Sequence, residues 1–535
     1  MNNKALLLHE DDNVAVAIKN LNQGETVDLG KSKTTLLDSV PAKHKFATCD
    51  LEMGDNVFMY GENIGKATQE IKEGNAISRQ NLMHDSSEFS IRESNYVWKA
   101  PAGLNKTFLG YERNDGLVGT ANYWLVFPLV FCENQNIETL KEAFEIALGF
   151  RKANPYVAYV QEAINSSNSN RQLQKMDFEN PFENVDGIRF ITHQLGCGGT
   201  REDAKTLCHL LAGYVNNPNV AGATVLSLGC QNAEFKIFRD RLNEIQKSDA
   251  KPVFLCEQQE HGTTEAFLKY AIEKTIEGLR EANKLSRTPQ PLSKLVIGLE
   301  CGGSDGFSGI SANPTLGRVS DLVIASGGSA ILSEFPELFG AEQNLIDRSV
   351  SVGVAKKFAK LMSEYNEKAK SVGSGFDMNP SPGNIKDGLI TDAMKSLGAA
   401  KKGGLAPVSD VLDYTEFIKT SGLNLLCTPG NDVESTTGLA GSGANLILFS
   451  TGLGTPTGNP ICPVIKVSSN SQVKEKMPDI IDFDTGDIIS GTKTVDEMGD
   501  ELLDFVIEVA SGIKKSKADQ NSNFDFIPWK RGVSL

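Results

Sequence analysis

Acidic and thiol side chains follow a short apolar run in the carboxyl-terminal half of the sequence. Residues 295–299 read Leu-Val-Ile-Gly-Leu, and Glu300, Cys301, Ser304 and Asp305 come directly after them in a Gly- and Ser-rich stretch. This pattern predicts a buried strand that ends in a polar loop. Ligands of open parallel sheets bind outside the carboxyl ends of the strands. We therefore expect these four side chains, and Asn313 further along the loop, to belong to a functional site.

The same arrangement recurs along the chain. Residues 188–192 are followed by His193 and Cys197, residues 223–228 by Cys230, and residues 123–131 by Cys132. Three further predicted strands end in polar residues, at 322–325, 423–426 and 446–449. If these strands are parallel neighbours, their polar ends share one rim.

The rim residues can be tested against metal chemistry. Fe²⁺, Mn²⁺ or Mg²⁺ prefers carboxylate, imidazole and other oxygen ligands, which Glu300, Asp305, Glu334 and His193 offer. Their spacing matches neither HExxH nor a facial triad. A cysteine after glycine at a strand end is more often a small packed residue than a ligand, so a thiolate iron site is the less favoured alternative for the rim cysteines.

Proton transfer needs a base with a pKa near neutrality. His44, between Lys43 and Lys45, and His193 are the candidates. From the residues alone, a solvated basic turn is the favoured interpretation of Lys43 to Lys45. Nucleotide binding is a weaker hypothesis, because no predicted strand is followed by GxGxxG or GxxxxGK[ST].

Composition limits the classes of function. The net charge of -15 argues against nucleic acid or an anionic membrane as a general partner. No stretch approaches the roughly 18 to 20 apolar residues of a membrane span, and no signal peptide is evident, so we expect a cytoplasmic protein. The nine cysteines have no CxxC spacing, which favours free thiols over a disulfide framework or a structural zinc site.

The 535 residues predict about two to four domains of the α/β class. Residues 1–85 alternate short strands with turns and read as a small β-rich domain. Residues 86–110 read as a linker, and residues 111–290 and 291–535 as doubly wound, Rossmann-like α/β domains. Predicted helices cover residues 137–150, 204–214, 265–285, 355–365 and 497–514. The turn-rich residues 373–384 read as a long irregular loop, and such a loop inside a compact domain is more often functional or linking than accidental.

Several long motifs, in order along the whole chain, resemble the altronate and galactarate dehydratases. They are Glu300–Pro314, Ile331–Glu337, Asn379–Asn384 and Thr428–Asp432, together with Asp12–Ala17 and His44–Ala47, which are similar to the family's SAF-type amino-terminal domain, and the Trp529–Leu535 tail. The resemblance implies elimination of water from a sugar acid with a divalent iron requirement, for which Mn²⁺ is the alternative. It implies a hydro-lyase whose partner is a small sugar acid, and we also expect a homo-oligomer, most simply a dimer.

Two departures from the family's pattern bear on the substrate. Leu453 stands where the family's Thr-Gly-Arg-Gly pattern has Arg, and Ile385-Lys-Asp-Gly388 stands where Lys-Ala-Gly-Gly is expected. Because leucine cannot bind an anion, recognition of a second carboxylate is weakened. This favours D-altronate, with 2-keto-3-deoxy-D-gluconate as product in hexuronate (galacturonate) catabolism, over the diacid galactarate.

The resemblance and the residues together give these expectations for the site. We expect His44, Lys45 and His193 in proton transfer, Glu300, Asp305, Glu334 and Cys301 on the metal side, and Ser304, Asn313, Asn384, Lys386 and Asn431 around the substrate, with Cys132, Cys197 and Cys230 as further rim residues. The active site would then lie where the amino-terminal domain docks over the strand ends. A dehydratase of galactarate or sulfolactate, a nucleotide-binding oxidoreductase and a non-catalytic sugar-acid sensor remain alternatives.

Overall fold

The computed structural model describes residues 4–30, 32–83, 89–149, 154, 156–165, 180–246 and 251–534. The chain separates into two compact units. The first contains Met1–Ala121, Leu210–Asn219 and Arg287–Lys530, and the second contains Asn122–His209, Val220–Ser286 and Arg531–Leu535. Strands and helices fill both units, so the predicted α/β class is confirmed.

The first 83 residues form a small domain built of strands within the first unit. Its strands are Ala5–Leu6, Val14–Ala17, Thr26–Asp28, Lys33–Thr35, Lys45–Ala47, Asn56–Met59, Glu62–Ala67, Ala76–Ile77 and Leu82–Met83. They pair as a four-stranded sheet, a three-stranded sheet and a two-stranded hairpin, all antiparallel. Apolar residues from these strands pack inside, among them Val14, Val57 and Phe46. The prediction of a β-rich amino-terminal domain is confirmed.

A seven-stranded parallel sheet forms the core of the first unit. In spatial order its strands are Val408–Leu412, Gly422–Leu426, Ser329–Leu332, Val296–Cys301, Leu446–Thr451, Val464–Ser468 and Phe483–Asp484. The helices that follow these strands are Ala312–Ala325, Glu342–Asp347, Val352–Ser371, Pro382–Lys386, Asp392–Ala400, Asp432–Gly441, Ser471–Lys476, Gly486–Ser490, Val495–Ala510 and Lys517–Gln520. Short 3-10 turns lie at Leu292–Lys294, Phe335–Leu338, Phe376–Met378 and Lys401–Gly403. Because all seven strands are parallel, their carboxyl ends lie along one edge.

A smaller antiparallel sheet completes the first unit. Its strands are Thr107–Glu112, Val118–Gly119 and Thr288–Pro291. The predicted linker over residues 86–110 therefore overlaps the first of these strands, whereas residues 89–106 have no helix or strand.

A four-stranded parallel sheet forms the core of the second unit, in the order Gly187–Phe190, Tyr123–Pro128, Val220–Ser227 and Val253–Glu257. Its helical segments are Phe131–Glu133 (3-10), Asn134–Ala147, Tyr156–Asn165, Arg201–Asn216, Phe235–Ile245, Gln258–His261 and Thr264–Ala282. Arg201–Asn216 continues into the first unit from Leu210. Trp124, Phe267 and Leu279 are fully buried in the core of the second unit.

Two predictions about strands are wrong. Residues 322–325 form the last turn of the Ala312–Ala325 helix, and the strand comes after it at Ser329–Leu332. The strands that end near Cys197 and Cys230 belong to the sheet of the second unit, whereas the strand that ends in Cys301 belongs to the seven-stranded sheet. The strand ends therefore form two rims, one on each sheet.

None of the helices that the structure describes combines the length and the hydropathy needed to cross a bilayer.

Candidate active site

Acidic side chains lie at the carboxyl ends of two neighbouring strands in the seven-stranded sheet. Glu300 and Cys301 end the Val296–Cys301 strand, and Glu334 lies two residues beyond Leu332. The Glu300 Oε2 atom accepts hydrogen bonds from Ser333 Oγ at 2.7 Å and from Ser435 Oγ at 2.5 Å. Both glutamates are fully buried. Burying two carboxyl groups is costly unless they are neutralised, so their partners decide their charge.

Lys402 provides the neutralising charge at this edge. Its Nζ atom donates to Cys301 Sγ at 2.7 Å and to Glu334 Oε2 at 2.8 Å. The Cys301 thiol in turn donates to Glu337 Oε2 at 2.9 Å. Burial alone would lower the pKa of Lys402, but the attraction of Cys301, Glu334 and Glu337 more than offsets it and holds the pKa well above its ordinary value. Lys402 is therefore a permanent cation.

The protonation of Glu300 depends on Glu334. Burial, and then the negative charge of Glu334, raise the pKa of Glu300 well above its ordinary value. Within the described part of the chain no donor group reaches Glu300 Oε1 or Glu334 Oε1, although both oxygens are buried. Burial, and then the charge of Glu337, also raise the pKa of Glu334, so the two carboxyl groups resist being charged at the same time.

Glu334 also has an unusual backbone. Its φ of 69° lies in the left-handed region, which a residue other than glycine rarely adopts. The Glu334 amide donates to Thr428 Oγ1 at 2.8 Å, which fixes this conformation. Left-handed residues of this type concentrate at functional sites because the surrounding structure must hold them in place.

A second ion pair continues the cluster. Lys395 Nζ lies 2.7 Å from Glu337 Oε1 and donates to Asn379 Oδ1 at 2.7 Å. Although burial opposes it, the attraction of Glu337 raises the pKa of Lys395. The pKa of Glu337 is lowered because the charges of Lys395 and Lys402 outweigh its burial. Asn384 donates to the Ser304 carbonyl at 2.8 Å, so the turn-rich segment is fixed against the strand-end loop.

A cavity of about 580 Å³ opens beside this cluster. Its polar lining residues are Cys301, Ser304, Glu337, Asn379, Ser381, Asn384, Lys395, Asn431 and Asp432, and its apolar lining residues include Pro336, Phe376, Met378, Pro429 and Leu453. The volume is typical of a small-molecule site. The polar lining residues can bind a carboxylate and hydroxyl groups.

Asp432 is the lining residue with a pKa closest to neutrality. It is half-buried at the start of the Asp432–Gly441 helix. Burial raises its pKa to about 6, with Glu334 and Glu337 adding to the rise and Lys466 opposing it. A carboxyl group with this pKa can both accept and donate a proton near neutral pH.

The amino-terminal domain contacts the strand-end loop through the basic turn. Lys43 Nζ lies 2.9 Å from Asp305 Oδ2 and 3.3 Å from Asp387 Oδ1. Although burial opposes it, the attraction of Asp305 raises the pKa of Lys43. The favoured interpretation of a solvated basic turn is therefore wrong, because Lys43 is a partly buried ion-pair partner.

Lys45 and His44 adjoin this contact without lining the cavity. Lys45 is fully buried, donates to the carbonyls of Gly388 at 2.6 Å and Lys43 at 3.0 Å, and has its pKa lowered to about 7 by burial. The His44 Nε2 atom lies 3.1 Å from the Lys386 carbonyl oxygen, and burial lowers the pKa of its ring.

The other predicted residues of the first unit lie in different surroundings. Asp305 is buried and accepts from Ser469 Oγ at 2.8 Å and from Asn470 Nδ2 at 3.1 Å, so it is occupied by the loop as well as by Lys43. Asn313 is buried and donates to the Gly398 carbonyl. Lys386 has an exposed side chain, whereas Asn431 caps the Asp432–Gly441 helix at the cavity wall.

His193, Cys132, Cys197 and Cys230 belong to the second unit. The His193 Nε2 atom lies 2.7 Å from the Pro128 carbonyl oxygen, and burial lowers the pKa of the ring to about 4. The three cysteines are exposed, so the interpretation of Cys197 and Cys230 as packed small residues is wrong, whereas Cys301 is buried.

A metal ion can be placed at one point of the cluster. One ligand atom each from Cys301, Glu334 and Glu337 lie within 4.8 Å of one another. A thiolate with two carboxylates suits a borderline cation such as Fe²⁺ or Mn²⁺. The donor set therefore fits in type and burial, and Lys402 is the cation that a bound ion would displace from Cys301.

The residues that sequence reasoning missed are Lys402, Lys395, Glu337 and Asp432. Glu337 and Asp432 stand inside the quoted motifs, at the ends of Ile331–Glu337 and Thr428–Asp432, so their acidic side chains were visible there. Lys395 and Lys402 lie in and after a helix, and no local pattern marks them.

Three ranges of the chain match models of one protein family. Residues 3–85 match the altronate/galactarate dehydratase SAF domain, residues 110–283 the second domain of D-galactarate dehydratase/altronate hydrolase, and residues 292–534 the D-galactarate/altronate dehydratase carboxyl-terminal domain. Similar proteins include altronate dehydratase of Escherichia coli (strain K12), 35% identical over 99% of both chains, and that of Bacillus subtilis (strain 168), 34% identical over 99% of both. Galactarate dehydratase (L-threo-forming) of Escherichia coli is 28% identical over 96% of this chain and 94% of its own. With all three domains matched in order and the acidic motifs gathered at one cavity, the chain belongs to the altronate/galactarate dehydratase family.

Proposed function

We propose that the chain removes water from D-altronate to give 2-keto-3-deoxy-D-gluconate. The observation that carries the proposal is the cavity of about 580 Å³, whose lining residues include a cation, Lys395, and a carboxyl group with a pKa of about 6, Asp432. Removal of a proton beside a carboxylate requires a base near neutrality and positive charge for the developing enolate. The names of the two altronate dehydratases, at 35% and 34% identity, support the choice of acid.

Lys395 and the amide groups orient the substrate. The Lys395 ammonium group binds the C1 carboxylate, while Asn379, Asn384 and Ser304 receive the hydroxyl groups. Leu453, which also lines the cavity, offers no charge to a second carboxylate. A monoacid therefore satisfies the cavity better than a diacid does.

Asp432 moves the proton. As a carboxylate it takes the proton from C2, and the electrons left at C2 form the C2–C3 double bond as the C3–O bond breaks. The proton on Asp432 then passes to the departing hydroxyl, which leaves as water, and the enol becomes the 2-keto acid. Atoms and charges balance with one carboxyl group, whose pKa of about 6 suits both transfers.

A divalent ion is the proposed cofactor, with Fe²⁺ or Mn²⁺ as candidates. Cys301, Glu334 and Glu337 would hold it, and when bound it supplies Lewis-acid polarisation of the substrate carboxylate. Without the ion, Lys402 pairs with Glu334 and contacts Cys301, and Lys395 pairs with Glu337.

His44 is the alternative base, and two variants separate the assignments. If Asp432 is the base, Asp432→Asn lowers kcat by about 10² to 10⁴, whereas His44→Ala leaves kcat within a few-fold. The reverse result, with an intact fold by circular dichroism, assigns proton transfer to His44. Either result is read from initial rates at saturating substrate.

The first test is release of a 2-keto acid from D-altronate by metal-stripped protein supplied with Fe²⁺, Mn²⁺, Mg²⁺ or no metal. We expect turnover with Fe²⁺ or Mn²⁺ only. Turnover of galactarate or sulfolactate in place of altronate would keep the chemistry and overturn the substrate. Binding of these acids, seen as a raised Tm, without any product would instead identify a sensor.

A further inference from the structure

We propose that Cys132, Cys197 and Cys230 of the second unit bind a cubane iron–sulfur cluster, with three irons held by thiolates and the fourth by a ligand other than cysteine. This cofactor site lies beyond the proposed dehydration, which uses residues of the first unit alone. The three thiols lie in loops that follow adjacent strands of the four-stranded sheet.

The three cysteines follow three adjacent parallel strands. Tyr123–Pro128 lies between Gly187–Phe190 and Val220–Ser227, with Val126 paired to Phe190 and Pro128 to Leu226. Cys132 comes four residues after the end of the central strand, and Cys197 and Cys230 come seven and three residues after the ends of its neighbours. Since parallel strands end at the same edge, the three loops emerge side by side.

Hydrogen bonds join these loops next to the cysteines. The amide of Phe131, adjacent to Cys132, donates to the Leu195 carbonyl at 3.1 Å. The carbonyl of Gly196, adjacent to Cys197, accepts from the Asn232 amide at 3.0 Å, two residues beyond Cys230. The loop of Cys197 is thus bonded to the loop of Cys132 on one side and to that of Cys230 on the other.

Glycines let these loops pack closely. A Cβ atom on Gly196 would lie 2.0 Å from the Leu129 carbonyl oxygen, so only glycine permits this approach of the Cys197 loop to the Cys132 loop. Gly196 has a φ of 101°, and Gly229, before Cys230, has a φ of 119°. Both loops therefore turn sharply beside their cysteine and place no side chain there.

The exposure of these thiols is itself unusual. Free cysteine is among the most buried residue types, and Cys208, Cys256, Cys301, Cys427 and Cys462 follow that rule. Of the four exposed cysteines, three are those at this one sheet edge, and the fourth, Cys49, is in the amino-terminal domain. Exposed thiols gathered on neighbouring loops are expected where thiolates bind a cofactor.

The separation of the thiols favours a cluster over a single ion. Within the described residues, the group of three donor atoms found within 4.8 Å of one another is Cys301, Glu334 and Glu337. Cys132, Cys197 and Cys230 do not form such a group, so their sulfurs are too far apart to meet on one ion. A cubane bridges wider gaps because each thiolate binds a different iron, and each thiol releases its proton to solvent on binding.

The test is the iron and acid-labile sulfide content of the full-length chain. Protein purified without oxygen is reconstituted with sulfide and equal ferrous and ferric iron, which is the oxidation level of the cubane and needs no further reductant. We expect about four iron and four sulfide per chain, with a broad visible absorption that bleaches on reduction. Cys132→Ser, Cys197→Ser and Cys230→Ser should each lower the sulfide content at least tenfold.

Matched controls are Cys49→Ser, which is exposed but far along the chain, and Cys301→Ser at the candidate active site. Both should retain the cluster, and circular dichroism should be unchanged in the three rim variants and in Cys49→Ser because these four positions are exposed. Iron without sulfide, uptake of zinc in preference to iron and sulfide, or full sulfide content in the three rim variants would overturn the proposal. Alanine at the same positions repeats the test if a serine variant fails to fold. The iron content, the sulfide content and the circular dichroism do not depend on which acid is the substrate.

Discussion

Two fully buried lysines of the first unit have pKa values shifted in opposite directions. Lys402, 1% exposed, has a pKa held well above its ordinary value, whereas Lys45, 0% exposed, has a pKa lowered to about 7. Their side chains and burial are the same, so their neighbours must cause the difference. Lys402 contacts a thiol and a carboxylate, and Lys45 donates to two backbone carbonyls. Burial removes hydration from both cations, and only nearby negative charge replaces it.

Lys466 falls between these cases. It is 1% exposed and lies 3.6 Å from the centre of the Phe449 ring, and Asp432 attracts it. Burial nevertheless lowers its pKa to about 7. The attraction of Asp432, whose own pKa is raised to about 6, does not offset the burial of Lys466. Of these three lysines, the one with a raised pKa is Lys402, which contacts a carboxylate directly.

The largest expected effect comes from removing the cation of the acidic cluster. Lys402→Met leaves Glu334 buried without its ion-pair partner, whereas Glu337 keeps Lys395, and this should lower the free energy of unfolding by about 3 to 5 kcal/mol. Turnover should fall below detection, because the uncompensated Glu334 lies beside Cys301 and Glu337, which line the cavity. Urea denaturation and the keto-acid assay measure the two effects.

Lys357→Met is the matched control for Lys402→Met. Lys357 pairs with Glu416 at 2.9 Å, but its side chain is 39% exposed. Such a surface pair contributes about 0 to 1 kcal/mol, so this variant should be nearly as stable as the parent. Equal losses in the two variants would show that burial of the cluster has no special energetic role.

The next effect concerns how stability depends on pH at Lys45. Its pKa is about 7 in the folded chain and near the ordinary lysine value when unfolded, so between these values the unfolded chain binds one more proton. Stability relative to Lys45→Met should therefore rise with pH above 7, by roughly 1 kcal/mol per pH unit. Below pH 7 both states are protonated and the difference should become constant.

Urea denaturation of both proteins between pH 6 and pH 9 measures this difference. The same comparison for Lys402 should be flat across this range, because a raised folded pKa gives stability that is complete below the unfolded pKa of about 10.4 and lost only above it. A flat profile for Lys45 across this range would mean that it is charged like Lys402, and the contrast between the two lysines would fail.

The extent to which the sequence predicts these sites follows from the distances along the chain. The strand Val296–Cys301 and its acidic end were predicted because an apolar run and the turn residues after it are local signals. Lys402 was missed because its partners Cys301 and Glu334 lie 101 and 68 residues away. Its charge state depends on that contact, and no local pattern encodes it.

The pairing of the strands could not be predicted for the same reason. The endings at Cys197, Cys230 and Cys301 look alike in sequence, but hydrogen bonds between distant segments place the first two in one sheet and the third in another. The run at residues 322–325 shows the limit of local signals, since four apolar residues suit the end of a helix as well as a strand.

The smallest expected effect comes from adding a cation at a partly exposed position in the cavity lining. Leu453 lines the cavity and is 40% exposed, so Leu453→Arg should keep its charge without needing an acid in contact. The new guanidinium can pair with a second carboxylate, which altronate lacks and galactarate has. We expect kcat/KM for galactarate relative to altronate to rise about tenfold, equivalent to roughly 1.4 kcal/mol.

Leu453→Met is the control, because it keeps the apolar wall and should leave the ratio unchanged. Activity of both variants on altronate separates a change of preference from a general loss. If the arginine variant lowers turnover of both acids equally, the added charge has been captured by Glu337 or Asp432, which line the same cavity. The rule drawn from Lys402 would then extend to the open wall, because an acid in reach would again decide what the cation does.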